Sequence, residues 1–163
     1  VIKADRLDVM GWHASALNMI LNTEMALHRS YAARFGITAG QLEAEPMWPT
    51  TRAYTDFLLR TAADGDLADL MAALLPCPWG YVYIGTRMVQ RPAPADQRYA
   101  EWIAQYASTE FAEFSEWLKA EMNRLAEGAL PAKRARLTEL FVLSSRYEWQ
   151  FWQMCWHGER WPV

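Results

Sequence analysis

"LLPCPWGYVYIG", residues 74 to 85, is the stretch on which the fold class turns. Its last five residues, "YVYIG", are the best strand candidate in the chain. They also continue a stripe spaced at three and four residues, Leu67, Leu70, Leu74, Cys77, Tyr81, Ile84 and Met88, which is helical periodicity. Helix therefore wins over strand, and the reading places Cys77 and Tyr81 one turn apart, looking into the core. Two prolines flank the cysteine, and each proline inside a helix costs about 3 kcal/mol through a lost hydrogen bond and a clash with the preceding turn. A core that needed only a small apolar residue has alanine available, so a thiol between two helix breakers points to chemistry. If Pro76 ends one helical piece and Pro78 opens the next, Cys77 is the N-cap, with its sulfur at the positive end of a helix dipole that favours thiolate. Taken alone, a free cysteine reads first as a small core hydrophobe, and it is the flanking prolines that turn the reading towards chemistry.

The same periodicity extends in both directions. Residues 5 to 35 read as one helix carrying Leu17, Leu21, Glu24, His28 and Tyr31 on one face, closed by Gly36, with Glu24 and His28 as a buried pair. A loop, "GITAGQLEAEPMWP", leads to a helix starting after Pro49 and ending at the "DGD" turn, with Tyr54, Phe57, Leu58 and Thr61 inward. Asp96 caps a helix with inner face Tyr99, Trp102, Ile103 and Tyr106, kinked near Ser108 and Thr109. A last helix follows Pro131 with the stripe Leu137, Phe141, Ser144, Glu148, Phe151 and Cys155. No segment alternates with period two for long enough to be a strand, so the expected fold is an all-α, compact antiparallel bundle in one domain over residues 1–163.

Composition narrows the function. With 16 Lys and Arg against 19 Asp and Glu, and no basic run, nucleic acid is not the expected partner. No apolar run is read as reaching the roughly 18 residues of a membrane span, so the expectation is a cytoplasmic protein without a membrane partner. The two cysteines, Cys77 and Cys155, are too few for a disulfide framework or a four-thiolate metal site. Nine tryptophans and the apolar tail "FWQMCWHGERWPV" exceed what one small domain buries, which predicts an oligomer.

Glu148 in an apolar row needs a reason, because an ionised carboxylate is costly to bury. It either fastens two helices through an Arg or Tyr, or serves as an acid or base with its pKa raised towards neutrality. Tyr54, Tyr81 and Tyr106 lie on inward stripes, and a buried phenol must find a partner for its hydroxyl. Phe151 and Trp152 stand one turn beyond Glu148, where they can wall a flat ring or simply pack. A di-iron centre on helices uses Glu and Glu-x-x-His ligands; Glu24 and His28 are spaced E-x-x-x-H, so no metal is expected.

"EMALH" at 24–28, "TRAYTDFL" at 51–58, "LLPCPWGYVYIG", "YAEWIAQYASTEF" at 99–111 and "SSRYEWQFWQM" at 144–154, in this order and spacing, resemble the TenA/Thi-4 family, also called thiaminase II. The resemblance implies a haem-oxygenase-like multi-helix bundle, no cofactor, assembly as a homotetramer, and hydrolysis of an aminopyrimidine or thiamin in thiamin salvage. Carried over position by position, it implies Cys77 as nucleophile, Glu148 as acid and base, and Tyr54, Tyr81, Tyr106 and Phe151 as pocket residues. The family's Q-D-Y segment, whose aspartate binds the pyrimidine edge, has no match here, which gives the expectation of an N-terminally incomplete chain. The other readings are a non-catalytic or regulatory member and, further off, a di-iron oxidase on the same scaffold.

Overall fold

The computed structural model describes residues 3–162 and divides into two compact units, Val1–Met47 and Trp48–Val163. The first unit comprises α1 (Leu7–Met19), a π-helical turn (Ile20–Glu24), α2 (Met25–Arg34) and α3 (Ala39–Ala44). The expected continuous helix over 5–35 is thus interrupted, and the wider turn rotates the stripe that follows it. Leu17 and Leu21 are exposed. Glu24 and His28 do pair, at 3.7 Å, but with side chains 35% and 48% exposed, so they are not a buried pair. Gly36 ends α2 with φ at +81°, as expected of its cap. The expected loop contains α3, started by a reciprocal capping box between Thr38 and Gln41.

The second unit holds every candidate site residue. It is built from α4 (Pro49–Asp64), α5 (Leu67–Leu74), α6 (Pro76–Met88), α7 (Gln97–Tyr106), α8 (Thr109–Ala126) and α9 (Pro131–His157). Among the described residues there is no strand, and "YVYIG" lies inside α6. The long α9 runs along α4, α5 and α6, while α8 packs on α5 and α6 and α7 packs on α6. Small residues make this possible: Ala68 and Ala72 of α5 let Leu137 of α9 come close, with Met122, Leu125, Ala126 and Leu140 packed around them.

The helix break falls two residues earlier than expected. Leu75 keeps right-handed helical angles, φ −58° and ψ −36°, and Pro76 takes the first position of α6, so Cys77 is the second residue of the helix and not its cap. Proline fits that position because its fixed φ is helical and the N–H it lacks is unpaired there anyway. The buried face of α5 is Leu67, Ala68, Met71, Ala72 and Ala73, followed by Leu75 and Pro76, whereas Leu74 and Cys77 are exposed. The expected inward Cys77 is therefore corrected: the buried face follows the small residues that meet α9. Contrary to the sequence reading, residues 67–88 also contain a window long and apolar enough for a membrane span, with mean hydropathy 1.3. Half of that window is buried inside the protein, as in the core helix of a bundle.

The expected kink near Ser108 is a full break in which Ser108 caps α8 by accepting from the Phe111 N–H at 3.2 Å, and Asp96 caps α7 as expected. Tyr99 is exposed, while Trp102, Ile103 and Tyr106 face inward. A Cβ at Gly85 would lie 2.7 Å from the backbone of Tyr106, so glycine is what lets α6 and α7 touch. At the other end of the unit, Gly158 ends α9 in the left-handed region, and Glu159 then accepts from the Thr50 N–H at 3.0 Å, serving the start of α4 in place of a cap side chain.

A charged cluster joins α5 to α9. Asp69, 3% exposed, receives Lys133 Nζ at 2.8 Å and Arg136 Nε at 3.0 Å, and Lys133 also reaches Asp66 at 2.8 Å. Burial, the largest single influence, would raise both carboxyls, but the hydrogen bonds from Lys133 and the backbone, with Arg136 added at Asp69, together outweigh it and hold them below the ordinary 3.8. A depressed folded-state pKa gives stability that is present above the unfolded value and lost as pH falls through the folded one. Asp69→Ala should cost about 1–3 kcal/mol by removing the buried acceptor that Lys133 and Arg136 share, Lys133 keeping only Asp66, and urea denaturation of the unaltered protein should show stability falling as the pH is taken below about 4.

Candidate active site

Three helices bring one side chain each to a common point. The Tyr54 hydroxyl of α4 lies 2.7 Å from Glu148 Oε1 of α9, within hydrogen-bond distance, and the thiol of Cys77, from the first turn of α6, is a second hydrogen-bonding partner of the same carboxyl. Ser144, one turn before Glu148, is 0% exposed; its Oγ lies 2.9 Å from the Tyr54 hydroxyl and donates to the Ala73 carbonyl at 2.5 Å. Tyr147 stacks on Tyr54, with centroids 5.2 Å apart and planes 9° apart, and fixes its ring against α9.

One turn further along the same two helices the contact is aromatic. Tyr81 of α6 meets Trp152 of α9 at 5.8 Å. Tyr106 of α7 packs 4.7 Å from Tyr81 and 4.7 Å from Trp102, and Phe151 stands edge-on to Trp152 at 6.2 Å. The sequence-derived residues thus form two groups: Cys77, Tyr54 and Glu148 in direct contact, and Tyr81 and Tyr106 in an aromatic cluster beside which Phe151 lies. Three cavities elsewhere in the unit are lined by other residues, among them Ala72 and Phe141, Tyr83 and Arg87, and Gln150 and His157, and Cys77 is exposed.

Sequence reasoning placed Ser144 on the right stripe but gave it no chemistry, and missed Tyr147 altogether. A serine on an apolar stripe carries no signal of a function, and Tyr147 is next to Glu148 in sequence, off the stripe. Its presence against Tyr54 depends on how α4 crosses α9.

Burial pushes the Glu148 carboxyl above its ordinary value, with the Tyr54 and Cys77 contacts opposing it only in part. Tyr54 is pushed strongly upward, first by burial, with further contributions from the acid at its hydroxyl and from Cys77. Cys155 is a separate case: exposed at the end of α9, its thiol is raised by burial alone. A raised carboxyl touching a thiol is an arrangement suited to giving and taking a proton at a covalent centre.

The sequence profile of the TENA/THI-4/PQQC family matches residues 1–158. The chain belongs to that family. It is 41% identical over 161 residues to an aminopyrimidine aminohydrolase of Halalkalibacterium halodurans, covering 98% of this chain and 72% of the relative. An aminopyrimidine aminohydrolase of Bacillus subtilis is 35% identical over 97% of this chain and 66% of its own. Among solved structures, a TenA family transcription regulator from Silicibacter sp. TM1040 superposes with a TM-score of 0.84 at 29% identity, over 94% of this chain and 70% of that one. The all-helical, haem-oxygenase-like fold expected from the sequence is the fold of these TenA relatives, and the chain spans about seven-tenths of their length.

The hydrogen-bonded state of Tyr54 has a direct optical consequence. In an ultraviolet titration of the folded protein, the difference between the unaltered chain and Tyr54→Phe should show no phenolate absorbance up to about one pH unit above the ordinary tyrosine value near 10. Ionisation at the ordinary value would mean that the buried contact with Glu148 does not form.

Proposed function

We infer that this TenA-family chain is an aminopyrimidine aminohydrolase of the thiaminase II type, a hydrolase acting on the C–N bond of 4-amino-5-aminomethyl-2-methylpyrimidine or of thiamin. The observation that carries this reading is the contact of the Cys77 thiol with a half-buried carboxyl of raised pKa, in a family whose curated relatives are named for that reaction. A protein that only binds has no need of a nucleophile set against an acid, which favours catalysis over the regulatory role that the name of the Silicibacter neighbour carries.

The reaction divides into balanced steps. The Cys77 sulfur adds to an electron-poor carbon of the pyrimidine as its S–H bond breaks, and that proton passes to a ring nitrogen. Electron pressure from the dearomatised ring breaks the exocyclic C–N bond; the pair leaves on nitrogen, which Glu148 protonates. Water then adds to the exocyclic carbon and gives its proton to the Glu148 carboxylate. The C–S bond breaks, the ring regains its aromaticity, and the hydroxymethyl pyrimidine leaves with the thiol restored. Tyr54 orients Glu148, while Tyr81, Tyr106 and Phe151 offer aromatic surface for the ring. The chemistry uses no cofactor.

The proposal extends to assembly and place. Trp149 and Trp156 are 64% and 84% exposed, which supports burial between copies in a homotetramer. Near-balanced charge supports small-molecule partners in the cytoplasm over nucleic acid or membrane.

The two cysteines provide the test. Cys77→Ser should reduce ammonia release from the aminopyrimidine at least about a thousandfold, since a serine hydroxyl without a strong base is a far weaker nucleophile. Cys155→Ser, at the far end of α9, should keep most of the activity. Equal losses, or an unaffected Cys77→Ser, would assign the thiol to packing.

A further inference from the structure

Protons, counted one contact at a time, say more about this site than distances do. Four contacts run in series: Cys77 to Glu148, Glu148 to Tyr54 at 2.7 Å, Tyr54 to Ser144 at 2.9 Å, and Ser144 to the Ala73 carbonyl at 2.5 Å. A backbone carbonyl only accepts, while a serine and a tyrosine hydroxyl each have one proton to give. The far end of the series is therefore fixed: Ser144 gives its proton to Ala73. Its oxygen can then meet Tyr54 only by accepting the tyrosine proton. Tyr54, having given its proton to Ser144, has only lone pairs to turn towards Glu148. If Glu148 is a carboxylate, one of the two tyrosine contacts sets oxygen lone pairs against each other, in a place where Ser144 is wholly shut off from water. One more proton, on Glu148, satisfies all four contacts.

We propose that Ser144 is a positioning residue of the TenA reaction, which through Tyr54 holds Glu148 as the neutral acid before substrate binds. This rests on the hydrolase reading and deepens it: the acid that must protonate the departing amine is already loaded, and the direction of loading is set by a backbone carbonyl that cannot reverse its role. The groups facing Glu148 are Tyr54 from α4 and Cys77 from α6, with Ser144 one turn back on α9. The upward push of burial on Glu148 acts in the same sense.

Ser144→Ala removes the acceptor for the tyrosine proton. Tyr54 then donates to Glu148 and favours its carboxylate, which lowers the pKa of Glu148 by about one unit, a tenfold loss of proton affinity. Infrared spectroscopy reads this without any need for activity: the carbonyl band of a protonated carboxylic acid, assigned to Glu148 by its loss in Glu148→Gln, should be present near neutral pH in the unaltered protein. In Ser144→Ala it should be reached only about one pH unit lower. If alanine prevents folding by stranding the Ala73 carbonyl, Ser144→Cys, which fills the same space with a much weaker hydrogen-bonding group, should move the titration the same way. An unaltered protein whose Glu148 is a carboxylate at neutral pH, or a titration indifferent to both substitutions, would overturn the proposal. Ammonia release by the unaltered protein is measured alongside: its absence with the band behaving as described would overturn the hydrolase reading and leave the role of Ser144 in setting the Glu148 proton intact.

Discussion

The hydrogen bond from Ser144 to the Ala73 carbonyl ties the longest helix of the second unit to the chain just ahead of its proline break. The α5 helix ends here and α6 restarts at Pro76, and at this break the Ala73 carbonyl accepts from a side chain. That one bond has two consequences. It fixes α9 along the α5–α6 junction so that Glu148 faces the first turn of α6, and it puts a hydroxyl of known direction beside Tyr54. The thiol, the acid and the phenol meet because three helices are registered on this junction, with the Asp69–Lys133 cluster holding the other end of α5 against α9.

Much of this architecture was legible because period, cap and breaker act locally. Pro49, Asp96 and Pro131 begin their helices where their local chemistry requires, and the stripe Leu137, Phe141, Ser144, Glu148 and Phe151 is the face that α9 turns inward or half-inward. What escaped the sequence depends on neighbours in space. The buried side of α5 follows Ala68 and Ala72, chosen by the approach of Leu137, and not the larger Leu70 and Leu74 that periodicity prefers. The π turn at Ile20–Glu24 leaves no compositional mark, yet it displaces the Glu24–His28 pair from burial. The position of Cys77 was missed by two residues, since a proline at the start of a helix and a proline ending the one before look the same in sequence.

The candidate site follows the same division. Its residue types were legible because a glutamate in an apolar row and a thiol between prolines are both costly without a use. Their mutual contact, the stacking of Tyr147 on Tyr54 and the service of Ser144 were not, because each depends on the crossing of α4 over α9. The site's central physical feature is the shared carboxyl: burial raises it, a phenol orients it and a thiol touches it, so acid chemistry and covalent chemistry are set at one point by helices that differ in sequence position by about seventy residues.

The most direct measurement is the mass of the enzyme's peptides when the protein is quenched in acid during turnover of 4-amino-5-aminomethyl-2-methylpyrimidine. The expected result is a pyrimidine-derived mass on the peptide containing Cys77 and none on the peptide containing Cys155. A mass on Cys155, or full turnover with Cys77 always unmodified, would contradict a mechanism built on the thiol between the two prolines.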